Sequence, residues 1–122
     1  PKMVELLKLC KEHYKVACIT NNVKAGRGPG MSSDDDKASK VSKVMALFDT
    51  VIESSVEGIR KPNPEIYKLA CRRISVEPEK CLFIDDLGIN LKPAKELGMK
   101  TIKVLSEAQA LKDICLITNI NL

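Results

Sequence analysis

Cys81-Leu82-Phe83-Ile84-Asp85-Asp86-Leu87-Gly88-Ile89-Asn90 is the stretch whose reading decides the fold. Cys81 to Ile84 is a short apolar run, the signature of a strand buried on both faces of a parallel sheet. Two adjacent carboxylates, Asp85 and Asp86, follow at once, then a helical pattern that ends at Gly98. In an open α/β sheet the ligand crevice lies outside the carboxyl ends of the strands, so this strand-acid-acid-helix order delivers both aspartates to it. Like charges side by side repel. A bound cation relieves that, and Mg²⁺ held by carboxylate, water and phosphate is the ion suited to such a pair. The competing reading is a charged turn that caps the following helix.

Outward from this stretch, helix and strand patterns alternate along the chain. Met3, Leu6, Leu7 and Cys10 recur at helical spacing and predict a helix over Lys2–Glu12, with the single histidine, His13, in a structural place at its end. Strands are expected over Lys15–Ile19, Thr50–Glu53, Cys81–Ile84 and Lys100–Val104. The helices between them start near Lys37, with Val41, Val44, Met45 and Leu47 as its apolar positions, and near Pro64, with Ile66, Leu69, Ala70 and Ile74. Ser106 and Gln109 have capping-box spacing for a last helix through about Cys115. This alternation predicts a three-layer α/β domain with a parallel sheet and right-handed crossovers. Residues 23–40 read as a flexible loop: Gly26, Gly28, Pro29 and Gly30 precede Ser32, Ser33 and three aspartates. No phosphate-binding GK[ST] or GxGxxG follows from those glycines.

Composition narrows the class. The 122 residues are 44% hydrophobic and 30% charged, which suits one domain with one modest core. No apolar run approaches the roughly 20 residues of a membrane span, and Pro1–Tyr14 is amphipathic, unlike a signal peptide. A net charge of +4 spread over scattered lysines is not a nucleic-acid footprint. Five cysteines without CxxC spacing, mostly in apolar segments, favour free thiols over disulfides or zinc. They predict an intracellular, reducing compartment, the cytoplasm first, with peroxisome or mitochondrion as alternatives. The first residue is Pro rather than Met, so a piece of a longer polypeptide is one expectation.

Two further places share the strand-end logic. Thr20 and Asn21 follow the Lys15–Ile19 strand and offer a hydroxyl and an amide to an anion, although both are also ordinary turn residues. Lys61 stands at the head of Lys61-Pro62-Asn63-Pro64, where two prolines fix the backbone. A pinned ammonium suits a phosphate or a carboxylate partner.

These residues carry a resemblance. Thr20-Asn21, then Lys61 in Lys-Pro-Asn-Pro, then Asp85-Asp86 with Gly88 and Asn90, resemble the second, third and fourth motifs of the haloacid dehalogenase superfamily. The wording from Ile52 to Tyr67, together with Ile84 to Lys92, is similar to the phosphatase-like domains of soluble epoxide hydrolase and of an acyl-CoA dehydrogenase family member. The resemblance spans about Pro1 to Leu122 and is weak across Val23–Lys40. It implies a Rossmann-like core and Mg²⁺-dependent hydrolysis of a small phosphorylated substrate through an aspartyl-phosphate. It further implies that Thr20, Asn21 and Lys61 hold the phosphoryl group. Lys61 and Asp85 would serve the catalytic centre, Asp86 would bind Mg²⁺, and Asn90 would orient its neighbours. Such catalysis is mostly positioning and charge neutralisation.

The superfamily's first motif, a strand followed by Asp-x-Asp that supplies the nucleophile, has no counterpart before Thr20. Asp34 and Asp36 have the spacing but follow Met-Ser-Ser and come after the second motif. The expectation is therefore an incomplete core: the carboxyl-terminal part of such a phosphatase, lacking the nucleophile, the first-motif strand and the cap. Without that strand, the strands before Thr20 and Asp85 must pair directly or leave a gap. Two alternatives stand beside it. One is a truncated, non-catalytic binding module. The other is a receiver-like domain, disfavoured because it needs its acids early and its lysine last.

Overall fold

The computed structural model describes residues 2–21 and 35–121. The order is α1 (Lys2–His13), β1 (Ala17–Thr20), α2 (Asp35–Met45), β2 (Thr50–Glu53), α3 (Ser54–Glu57), α4 (Pro64–Ile74), β3 (Leu82–Asp85), α5 (Gly88–Glu96), β4 (Lys100–Lys103) and α6 (Glu107–Thr118). Each expected strand is present within two residues of its expected bounds. α2 starts at Asp35, so the loop expected over 23–40 is helical from 35 onward. Its remaining part, 23–34, lies outside the described residues.

Local chemistry explains the boundaries. Asn63 caps α4 by accepting from the Glu65 amide at 2.9 Å, with Pro64 in the first turn where a missing N–H costs nothing. Ser106 and Gln109 close the expected capping box on α6. Gly98, at φ 102°, makes the left-handed turn that stops α5 and aims the chain into β4. Asp49 accepts from the Val16 amide at 2.7 Å and from Lys11 at 3.1 Å, fixing the entry to β1 from the β2 side.

The strands pair in two separate parallel ladders among the described residues. β1 pairs with β2, Ile19 opposite Ile52, and β3 pairs with β4, Ile84 opposite Ile102. β1 and β3 are not hydrogen-bonded to one another, so of the two expected outcomes the gap is the one realised. Side chains alternate across each ladder and supply two cores. On one face, Ile52 and Phe83 meet Ile66, Tyr67, Ala70 and Cys71 of α4 and Ala94 of α5. On the other, Leu82 and Ile102 meet Leu6 of α1 and Ile114 of α6. Helices on both faces of parallel strands make three layers, an incomplete Rossmann-like α/β core.

Two details depart from expectation. Val41, assigned to the apolar face of α2, is 54% exposed. Tyr67, absent from the expected apolar face of α4, is fully buried and is the largest of the fully buried side chains.

Candidate functional site

The carboxyl ends of β1 and β3 meet through side chains. Asn21, directly after β1, clasps the main chain of Lys61: its Oδ1 accepts from the Lys61 amide at 2.9 Å, and its Nδ2 donates to the Lys61 carbonyl at 3.1 Å. Both ends of its amide are thereby engaged, so Asn21 acts on the backbone of Lys61. The cis Lys61–Pro62 peptide follows. The Lys61 side chain then crosses to the other ladder, where Nζ donates to Asp85 Oδ2 at 2.8 Å and lies 5.8 Å from the centre of the Phe83 ring.

Asp85 is nearly saturated. Oδ1 accepts from the Leu87 amide at 3.0 Å, and Oδ2 accepts from Asn90 Nδ2 at 3.3 Å besides Lys61. Burial pushes its carboxyl up. The Lys61 ammonium and the Leu87 amide outweigh that and hold it below the usual carboxylate range. The side chains of Lys61 and Asp85 are only 13% and 7% exposed, so this ion pair is part-buried and largely withdrawn from solvent.

Asn90, in the first turn of α5, is itself buried. Its carbonyl accepts from the Tyr67 hydroxyl, and the Tyr67 ring meets Phe83 edge-on at 5.1 Å. Burial, with the charge of Asp85 behind it, pushes the Tyr67 hydroxyl up to about 12, so it remains a hydrogen-bond donor. Sequence reasoning missed Tyr67. The signal was an aromatic hydroxyl between the aliphatic positions Ile66 and Leu69, a residue type that asks for a polar partner when buried.

The remaining residues stand around this pair. Thr20 ends β1, half-buried, in register with Glu53. Asp86 is exposed beside Asp85. Burial raises the Cys18 thiol, and the Lys61 charge offsets part of that rise. A groove of about 410 Å³ between α5 and β4 is lined by Gly88, Lys92, Lys95 and Thr101 and does not include Lys61, Asp85 or Asp86.

The donor set does not build a Mg²⁺ cage by itself. No group of three or more His, Cys, Asp or Glu gathers among the described residues. Mg²⁺ demands near-octahedral oxygen ligation. Asp85 has committed both oxygens to Lys61, Leu87 and Asn90, which leaves Asp86 as the exposed carboxylate at this edge.

An α/β core thus carries a part-buried Lys–Asp pair and a second acid at its strand ends, the edge of an open α/β sheet. Comparison with known proteins specifies the family. Residues 1–98 match the model of haloacid dehalogenase-like hydrolases. The chain is 40% identical over 100 residues to mouse acyl-CoA dehydrogenase family member 10, covering 82% of this chain and 8% of that protein. It is 34% identical over 128 residues to pig bifunctional epoxide hydrolase 2, covering 100% of this chain and 21% of that protein. A glyceraldehyde 3-phosphate phosphatase of Pyrococcus furiosus is 33% identical over 103 residues, covering 80% and 38%. Among solved structures, a haloacid dehalogenase family enzyme from Bacteroides thetaiotaomicron, in complex with magnesium and inorganic phosphate, superposes with a TM-score of 0.67. It is 27% identical and is covered to 53%, against 87% of this chain. The chain belongs to the haloacid dehalogenase-like hydrolase family. It spans between 8% and 38% of the length of these three relatives.

Proposed function

We propose that this chain is the carboxyl-terminal part of a Mg²⁺-dependent phosphatase of the haloacid dehalogenase type, acting in the complete protein on a small phosphorylated substrate. The observation that carries the reading is the Lys61–Asp85 pair, 2.8 Å apart and part-buried where the ends of β1 and β3 converge. An ammonium held there by two backbone contacts to Asn21 neutralises an anion without reorganising, which is how phosphoryl transfer is assisted. Thr20, one residue before Asn21, supplies a hydroxyl to the phosphoryl oxygens. Asn21 contributes by fixing Lys61. Asp85 tethers Lys61 and Asn90 fixes Asp85, so Asn90 is a positioning residue. Mg²⁺, when bound in the complete protein, supplies charge neutralisation at the phosphate. Asp86 is the carboxylate this chain offers it. Phosphatase relatives, and the magnesium and phosphate held by the Bacteroides enzyme, support this assignment. Five free thiols among the described residues support an intracellular, reducing location.

A second reading is favoured by one observation. The described residues offer no three-carboxylate cluster, and Asp85 is occupied. The 122-residue chain alone is then a phosphate-binding module without turnover. A phosphatase assay on the purified chain, using an aryl phosphate monoester with Mg²⁺, tests both. The expected result is no turnover, together with phosphate-induced shifts of the Thr20 and Lys61 amide resonances. Mg²⁺-dependent turnover that Asp86→Ala abolishes would show a complete catalytic apparatus here and overturn the incomplete-core reading. Absence of any phosphate response would overturn the anion-site reading.

A further inference from the structure

At the end of the sheet opposite Lys61 and Asp85, two thiols meet. Cys71 lies in the last turn of α4, Cys81 directly precedes β3, and their Sγ atoms are 3.9 Å apart. Both are free. Their main chains are pinned. The Cys71 carbonyl accepts from the Val76 amide at 3.1 Å, the Cys81 amide donates to the Pro78 carbonyl at 3.0 Å, and the Cys81 carbonyl accepts from the Lys100 amide at 3.0 Å. A disulfide has its sulfurs about 2 Å apart, so closing this pair needs roughly 2 Å of approach.

We propose that Cys71 and Cys81 form a dithiol modification site that a hydroperoxide converts to a reversible disulfide tying the end of α4 to the start of β3. The half-buried Cys81 reacts first, because Cys71 is buried against Ile66, Tyr67 and Ala70. Its sulfur attacks the peroxide O–O bond and becomes a sulfenic acid, releasing water. The Cys71 sulfur then attacks that sulfur, the S–S bond forms and a second water leaves. In total two thiols lose two protons and two electrons, and hydrogen peroxide is reduced to two waters.

The surroundings set the conditions for this chemistry. Burial, reinforced by its neighbour Cys71, pushes the Cys81 thiol up to about 12, and burial raises Cys71 as well. The thiolate is the reacting species, so the pair resists peroxide at neutral pH and its rate climbs about tenfold per pH unit. What the cross-link holds is α4, whose Tyr67 stands one helical turn before Cys71 and bonds to Asn90. The proposal does not depend on the phosphatase reading.

The test treats the reduced 122-residue chain with hydrogen peroxide between neutral pH and about pH 9. Peptide mapping without reductant should find a Cys71–Cys81 linked fragment, formed about ten times faster per pH unit. The oxidised chain should melt roughly 10 °C higher, because the bridge restricts the unfolded chain. Dithiothreitol should reverse both changes. Cys81→Ser, at a half-buried position that leaves the core filled, should lose the linked fragment and the shift. Linkage of Cys10 to Cys115 instead, sulfinic acid at Cys81 without a link, or a linked chain that melts no higher than the reduced one would each overturn the proposal.

Discussion

The two ladders are built alike and joined differently. Within each ladder, β1–β2 and β3–β4, the strands are tied by parallel backbone hydrogen bonds, and helices cover them. Between the ladders no strand-to-strand bond runs among the described residues. Side chains make the connection instead, with Asn21 holding Lys61, Lys61 holding Asp85, Asn90 bonding Asp85 and Tyr67 bonding Asn90. The residues read as a phosphate site are therefore also the stitching of the fold. A substitution there changes stability and chemistry together, and a loss of activity alone would not separate the two.

Breaking the stitch should cost most at Lys61. Lys61→Met leaves the part-buried Asp85 carboxylate without its cation, and truncating one partner of a buried pair costs about 3 kcal/mol. Urea unfolding should show that loss, while Lys61→Met combined with Asp85→Leu should recover a large part of it. A loss below about 1 kcal/mol for the single change would mean that the ladders are held together by their helices alone.

Tyr67→Phe keeps the ring against Phe83 and removes only the hydroxyl that serves the Asn90 carbonyl. The expected cost is about 1.5 kcal/mol, again by urea unfolding. An unchanged midpoint would show that α4 and α5 are coupled by packing and not by this bond.

The smallest effect is in the pH dependence. Asp85 has a folded value below its unfolded one, so its contribution is fully present above the ordinary carboxylate value near pH 4 and is lost as pH falls through the lowered value. The stability difference between the chain and Asp85→Asn should hold steady above about pH 5 and shrink below about pH 4, with a slope under about 1.4 kcal/mol per pH unit. A difference that grows on acidification would reverse the sign of the Lys61–Asp85 interaction.

Much of this was legible in sequence because it is local. Strand-acid-acid-helix, a proline-fixed lysine and a capping box depend on near neighbours, and Asp85, Lys61, Ser106 and Gln109 stand where those patterns place them. What depends on distant partners was not legible. The two bonds of the Asn21 side chain to the Lys61 backbone, 40 residues away, have no local signal. Tyr67 finds its acceptor 23 residues on, at the carbonyl of Asn90. Val41 keeps the helical period yet is 54% exposed, because periodicity gives a stripe and not what covers it.

The split sheet also bears on colloidal behaviour. β4 carries Lys100 and Lys103, both exposed, the charged lining that discourages strands of separate molecules from pairing. The inner strands have no such guard: Ala17–Ile19 and Leu82–Ile84 are uncharged, and Ile84 is 37% exposed. Self-association at high protein concentration is therefore expected along β1 and β3 before β4, and Ile84→Lys should reduce it in light scattering.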